Sequence, residues 1–122
     1  MRVPTVSLDE DGGTYFRDTE LPFEAADFTP PSPDGYWITP TLGAKGISIM
    51  RTPAGYIDEW HPAPYHALTA LMSGRLRVET SDGDHRIVEA GEIFINKDVK
   101  GRGHRLTEVN GEAYDILLVQ LS

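Results

Sequence analysis

Imidazoles are the side chains of this chain best suited to chemistry near neutral pH. His61 and His66 stand in the stretch Trp60-His61-Pro62-Ala63-Pro64-Tyr65-His66, and His104 closes Gly101-Arg102-Gly103-His104. His61 and His104 are read as an acid and a base at the mouth of a small barrel, a role that typically contributes about 10² to 10⁴ in rate. Tyr65 shares strand parity with Ala63, Ala67 and Thr69, so the Tyr65 and Thr69 hydroxyls are candidates to donate to a substrate carbonyl or to fill the interior. His85 follows the Asp82-Gly83 turn and is read as exposed, without a role.

Arg51 shares a face with Ile47 and Ile49, which either puts a guanidinium in the cavity to meet an anionic substrate or leaves it at the strand end in water; the cavity is preferred. Met50, Phe94, Met72 and Trp37 are expected to form an apolar wall, with Trp60 beside His61 at the rim. Lys97 and Asp98 are read as a solvated loop pair, and Asp115 as an exposed acid at a strand start. Cysteine is absent, which excludes disulfides, thiolate nucleophiles and Cys-ligated zinc.

Short strands must position these groups. Gly46–Thr52, His66–Met72, Arg75–Thr80, His85–Glu89, Glu92–Asn96, His104–Val109 and Tyr114–Leu121 are predicted strands, separated by turn signals such as Pro53-Ala54-Gly55, Asp82-Gly83 and Asn110-Gly111. Leu76 and Val78 alternate with charged residues, as half-buried strands do. With twelve glycines, nine prolines and no helical period, 122 residues make one all-β domain, a sandwich or barrel. Residues 1–45 differ in texture. They hold an acidic-glycine turn at Asp9–Gly13, a strand at Thr14–Arg17, and the proline run Thr29-Pro30-Pro31-Ser32-Pro33. The aromatic residues Tyr15, Phe16, Phe23, Phe28, Tyr36 and Trp37 call for packing of this arm on the barrel, residues 46–122, or on a second subunit.

This order of strands, turns and histidines resembles the small single-domain cupins, which are double-stranded β-helix (jelly-roll) barrels. In that family a first motif carries a His-x-His pair and a glutamate before a glycine, and a second runs from a glycine to a further histidine. On this sequence the resemblance places His61 first, Gly74 at the end of the first motif, and Gly91 to His104 as the second; Ala63 and Ala67 stand where the second histidine and the glutamate would be. The resemblance implies a divalent metal (Zn, Fe, Ni or Mn) or none, held by His61 and His104 with His66 as third ligand. Strand parity turns His66 away unless Pro62 and Pro64 make a bulge.

Two alanines in place of ligands enlarge the cavity and remove charge, which suits a bulky, aromatic or polyketide-like molecule. The expected function is a non-redox reaction on it (isomerisation, cyclisation, dehydration or decarboxylation), by histidine acid–base or weak-metal Lewis-acid chemistry. The alternative is a non-catalytic binding or accessory barrel of a biosynthetic pathway. A net charge of −8 argues against nucleic acid as a partner. No apolar run has the length of a signal peptide or membrane span, so a cytoplasmic protein is expected. The resemblance also implies a homodimer, with the N-terminal arm pairing across a two-fold axis.

Overall fold

Apolar residues that alternate along short strands can bury only one face of a sheet, so a second sheet must cover it. A computed structural model shows this pairing and describes residues 1–25 and 35–122; Phe28 and the proline run at 29–33 lie outside the described residues. Every regular element among them is a strand: β1 (Arg2–Val3), β2 (Thr5–Leu8), β3 (Thr14–Phe16), β4 (Thr19–Glu20), β5 (Glu24–Ala25), β6 (Trp37–Ile38), β7 (Ala44–Thr52), β8 (Ala67–Ser73), β9 (Arg75–Thr80), β10 (His85–Glu89), β11 (Ile93–Asn96), β12 (His104–Glu108) and β13 (Tyr114–Leu121). A six-stranded sheet, in the order β3-β2-β11-β8-β13-β7, faces a three-stranded sheet, β10-β9-β12, in jelly-roll fashion. Among the described residues no helix is long and apolar enough to cross a membrane.

The core lies between the sheets. Leu71, Phe94, Tyr114 and Ile116 of the large sheet meet Leu76, Val78, Val88 and Leu106 of the small one. Residues 75–80 alternate as their sequence requires, with Leu76, Val78 and Thr80 buried. The register of the large sheet aligns Ser48, Leu118, Thr69 and Phe94 in one inward row. The neighbouring row, Ile49, Leu117, Ala70 and Ile93, must therefore face outward.

The N-terminal residues enter this architecture directly. β2 lies between β3 and β11 and runs parallel to β11, with Thr5 opposite Ile95. Val3 and Val6 are buried, while the Thr5 and Thr19 hydroxyls meet at 2.6 Å behind the strand. Gly74, at φ +87°, makes the tight turn between β8 and β9, where a Cβ would approach that of Tyr114 to 2.8 Å.

The far edge of the sheet is β7, nine residues long. It pairs with β13 alone among the described strands, and Ile47 and Ile49 on its outward side are 73% and 66% exposed.

Candidate functional site

Residues 61 and 104, far apart in sequence, are locked together by backbone. The His61 amide donates to the His104 carbonyl at 3.1 Å, and the His104 amide returns a bond to the His61 carbonyl at 2.9 Å, forming an isolated antiparallel bridge. Two residues opposite one another in such a bridge present their side chains to the same side. The imidazole ring centroids are accordingly 4.7 Å apart, with the planes tilted by 57°. Glycine is required beside this bridge, because Gly103 has φ +76° and a Cβ there would run into the His61 carbonyl.

A carboxylate stands behind each ring. His104 is buried, and its Nδ1 lies 2.6 Å from Oδ2 of Asp98, which has no exposed surface. An ionised carboxylate only accepts, so the His104 Nδ1 carries the proton and Nε2 is the nitrogen left for the cavity. The amide of Asn96 contacts the other Asp98 oxygen at 3.4 Å. In the half-buried His61, Nδ1 donates to the Glu59 carbonyl at 2.7 Å, with Asp58 Oδ1 at 3.4 Å. Asp58 is itself anchored, since its Oδ2 accepts the Leu106 amide at 2.9 Å.

The histidines open on a cavity of about 310 Å³ between the sheets, within the size range of small-molecule sites. Ala63, Ala67, Phe94, Ile116 and Leu118 make it largely apolar, and Tyr65, Thr69 and Asn96 add hydrogen-bonding groups. Tyr65, Thr69, Met50 and Phe94, singled out from sequence, thus all line the same cavity as His61 and His104.

Other expected members lie elsewhere. The Arg51 guanidinium is not in the cavity: it projects from the outer face of the sheet and makes a two-pronged contact with Asp115, Nε at 2.8 Å and Nη2 at 3.0 Å. Registry explains the placement, since Arg51 sits opposite Asp115 and both take the outward parity. The hydrogen bond from Arg51 holds the Asp115 carboxyl below its usual range, and Asp115 raises the guanidinium in turn. Trp60 is 43% exposed and packs its ring against the Arg105 guanidinium, 5.2 Å from the ring centroid, instead of lining the cavity. His66 is exposed just before β8 and is absent from the cavity wall that His61 and His104 share. Lys97 and Asp98 are not a solvated pair, because Asp98 is wholly buried against His104. Asp98 and Asp58 are the members that sequence reasoning missed. For Asp98 a signal was present: Phe94, Asn96 and Asp98 continue one inward parity past the end of β11.

The donor set does not fit a resident metal of the kind the cupin resemblance implies. A catalytic site ordinarily takes three protein ligands, and the cavity offers two imidazoles with Ala63 and Ala67 where further donors would stand. Among the described residues no three histidines, aspartates or glutamates converge on a point.

No protein-family model matches the sequence, and no curated protein does. Solved structures match at the level of fold. The cupin domain of Cnp3 from Schizosaccharomyces pombe superposes with a TM-score of 0.51, covering 100% of this chain and 83% of its own at 12% identity. The fold is a small cupin barrel. A cupin 2 conserved barrel domain protein from Leptotrichia buccalis aligns with a TM-score of 0.48 and 18% identity, over 88% of this chain and 44% of its own. A cupin domain from Bordetella pertussis gives 0.46 and 13%, over 99% and 93%. At such identities the likeness extends to the cupin fold alone, and function has to be argued from the site.

Proposed function

We propose that this cupin barrel is an enzyme that moves a proton on a small, largely apolar organic molecule. The buried Asp98–His104 pair at the wall of a cavity is the observation that carries this reading. His104 Nε2 takes a proton from an acidic C–H or O–H of the bound molecule. Asp98 holds the imidazole in the required tautomer and stabilises the imidazolium that forms. His61, 4.7 Å away between ring centres, enters the step doubly protonated, keeps its Nδ1–H on the Glu59 carbonyl and delivers its Nε2 proton to a second atom of the same molecule. Isomerisation, cyclisation and dehydration can use such a relay, decarboxylation needs only its proton-delivering half, and none requires a net change of oxidation state.

The two alanines support a second reading, a binding barrel without turnover, because they leave a roomy apolar cavity with few polar groups to act. Deuterium exchange separates the two. Incubated in D₂O with 2-tetralone, an enolisable bicyclic ketone, the protein should accelerate exchange of the α-hydrogens. His104→Ala should lower that acceleration by about 10²-fold or more. Binding of 2-tetralone with exchange no faster than in buffer would favour the binding barrel.

The proposal includes self-association as a homodimer. Its support is the long apolar edge β7 and the outward row that continues it through Leu117 and Ala70, surfaces that soluble proteins ordinarily cover.

A further inference from the structure

A second chamber, of about 340 Å³, lies at the mouth of the barrel. Met50, His61 and Leu106 line it and the inner cavity alike, so these three side chains form a shared neck. The two spaces differ in chemistry. The inner one is walled mainly by alanine, leucine, isoleucine and phenylalanine side chains, while the mouth chamber adds Thr52, Tyr56, Asp58 and Tyr114.

Apart from His61 at the neck, the charge on that mouth is one-sided. Asp58 presents a carboxylate that is already fixed by the Leu106 amide and lies 3.4 Å from His61 Nδ1. Arg51 borders the chamber, yet its guanidinium is engaged by both oxygens of Asp115. Arg105, the other cation near Asp58, is held by Glu79 at 2.7 Å. Burial pushes the Tyr114 phenol up, against a smaller opposing effect of Thr52, which keeps it neutral. A wall with an anchored carboxylate, neutral hydroxyls and no free guanidinium among its described residues accepts hydrogen bonds and repels anions.

We propose that the mouth chamber is the second half of the ligand site and takes the hydroxyl-bearing end of an elongated molecule whose apolar ring system fills the inner cavity. The reacting bond then sits at the neck, beneath His61 and His104. This inference rests on the reading of the inner cavity as a ligand site. It excludes carboxylates and phosphates as the outer group and selects neutral hydroxylated compounds.

Methyl NMR with three probes tests it, using Ala67 as reporter of the inner cavity and Thr52 as reporter of the mouth. Toluene should shift Ala67 and leave Thr52 in place. 4-Phenylphenol should shift both and bind about tenfold tighter, because a second ring leaves water. Biphenyl-4-carboxylate should bind about tenfold more weakly than 4-phenylphenol, and Asp58→Asn, whose side-chain oxygen still accepts the Leu106 amide, should narrow that gap. Thr52 unmoved by 4-phenylphenol, or a carboxylate that binds as tightly as the phenol, would overturn the mouth chamber and leave the inner site standing. Ala67 unmoved by all three probes would overturn the ligand site itself.

Discussion

Asp98 is the residue on which the geometry of the site depends most. It is wholly buried, its carboxylate meets His104 and Asn96, and its carbonyl accepts the Ala63 amide. Asp98→Ala would leave the His104 Nδ1–H without an acceptor in the interior, at a cost of about 1–3 kcal/mol, read as a lower urea midpoint. Long-range ¹H–¹⁵N spectra give a sharper test. His104 should be an Nδ1–H tautomer in the parent protein, and Asp98→Asn should mix or invert the tautomers while the fold persists. An unchanged tautomer would mean that Asp98 does not orient the ring. Gly103→Ala should cost more than an ordinary surface change, about 1–3 kcal/mol, because its left-handed backbone and the nearby His61 carbonyl both oppose a side chain. At this scale the histidine pair was legible in the sequence and its partners were not. Types and turns marked His61 and His104. The parity of Phe94 and Asn96 pointed Asp98 inward, but its meeting with His104 is a contact between separate segments that spacing does not encode, and an arginine in an apolar strand looks like a cavity group until the register shows Asp115 beside it.

Strands are where the sequence spoke most clearly. The alternation over 75–80, the apolar run at 93–96 and the long C-terminal strand all appear where the pattern puts them, because a period of two and a glycine turn are local properties. Neighbours in a sheet are non-local, so the parallel pairing of β2 with β11 was not legible in the same way. Ion pairs across strands make the elements sensitive to acid. Hydrogen bonds from Arg105 and Arg51 lower the carboxyls of Glu79 and Asp115, tying β12 to β9 and β13 to β7. A depressed folded value contributes stability that is complete above the ordinary carboxylate range and is lost as pH falls through the lowered value. Urea midpoints should therefore decline as the solution is acidified below that range. The double variant Glu79→Gln, Asp115→Asn should show a shallower decline, and an equal slope in both proteins would remove these pairs as the cause.

The whole molecule carries an outward face that is poorly suited to water. Ile47, Ile49 and Met72 are exposed at 73%, 66% and 53%, along one side of a sheet whose edge strand is otherwise bare among the described residues. Sedimentation at micromolar concentration should give a dimer, and Ile49→Lys should give a monomer with an intact barrel. A monomeric parent protein would refute the association. Removal of residues 1 to about 20 should produce aggregates, because it strips β2 and β3 from the sheet and Val3 and Val6 from the interior. The position of β2 also has a consequence in time. Thr5 finds Arg17 and Thr19 early, but the other edge of its strand waits for Ile95, ninety residues later, and β8 lacks one of its neighbours until β13 is made. A nascent chain can therefore hold little of this barrel until most of its strands have left the ribosome. Refolding should then take milliseconds to seconds, the slow end for a domain of about this size, because distant strands must meet before any of them is secure.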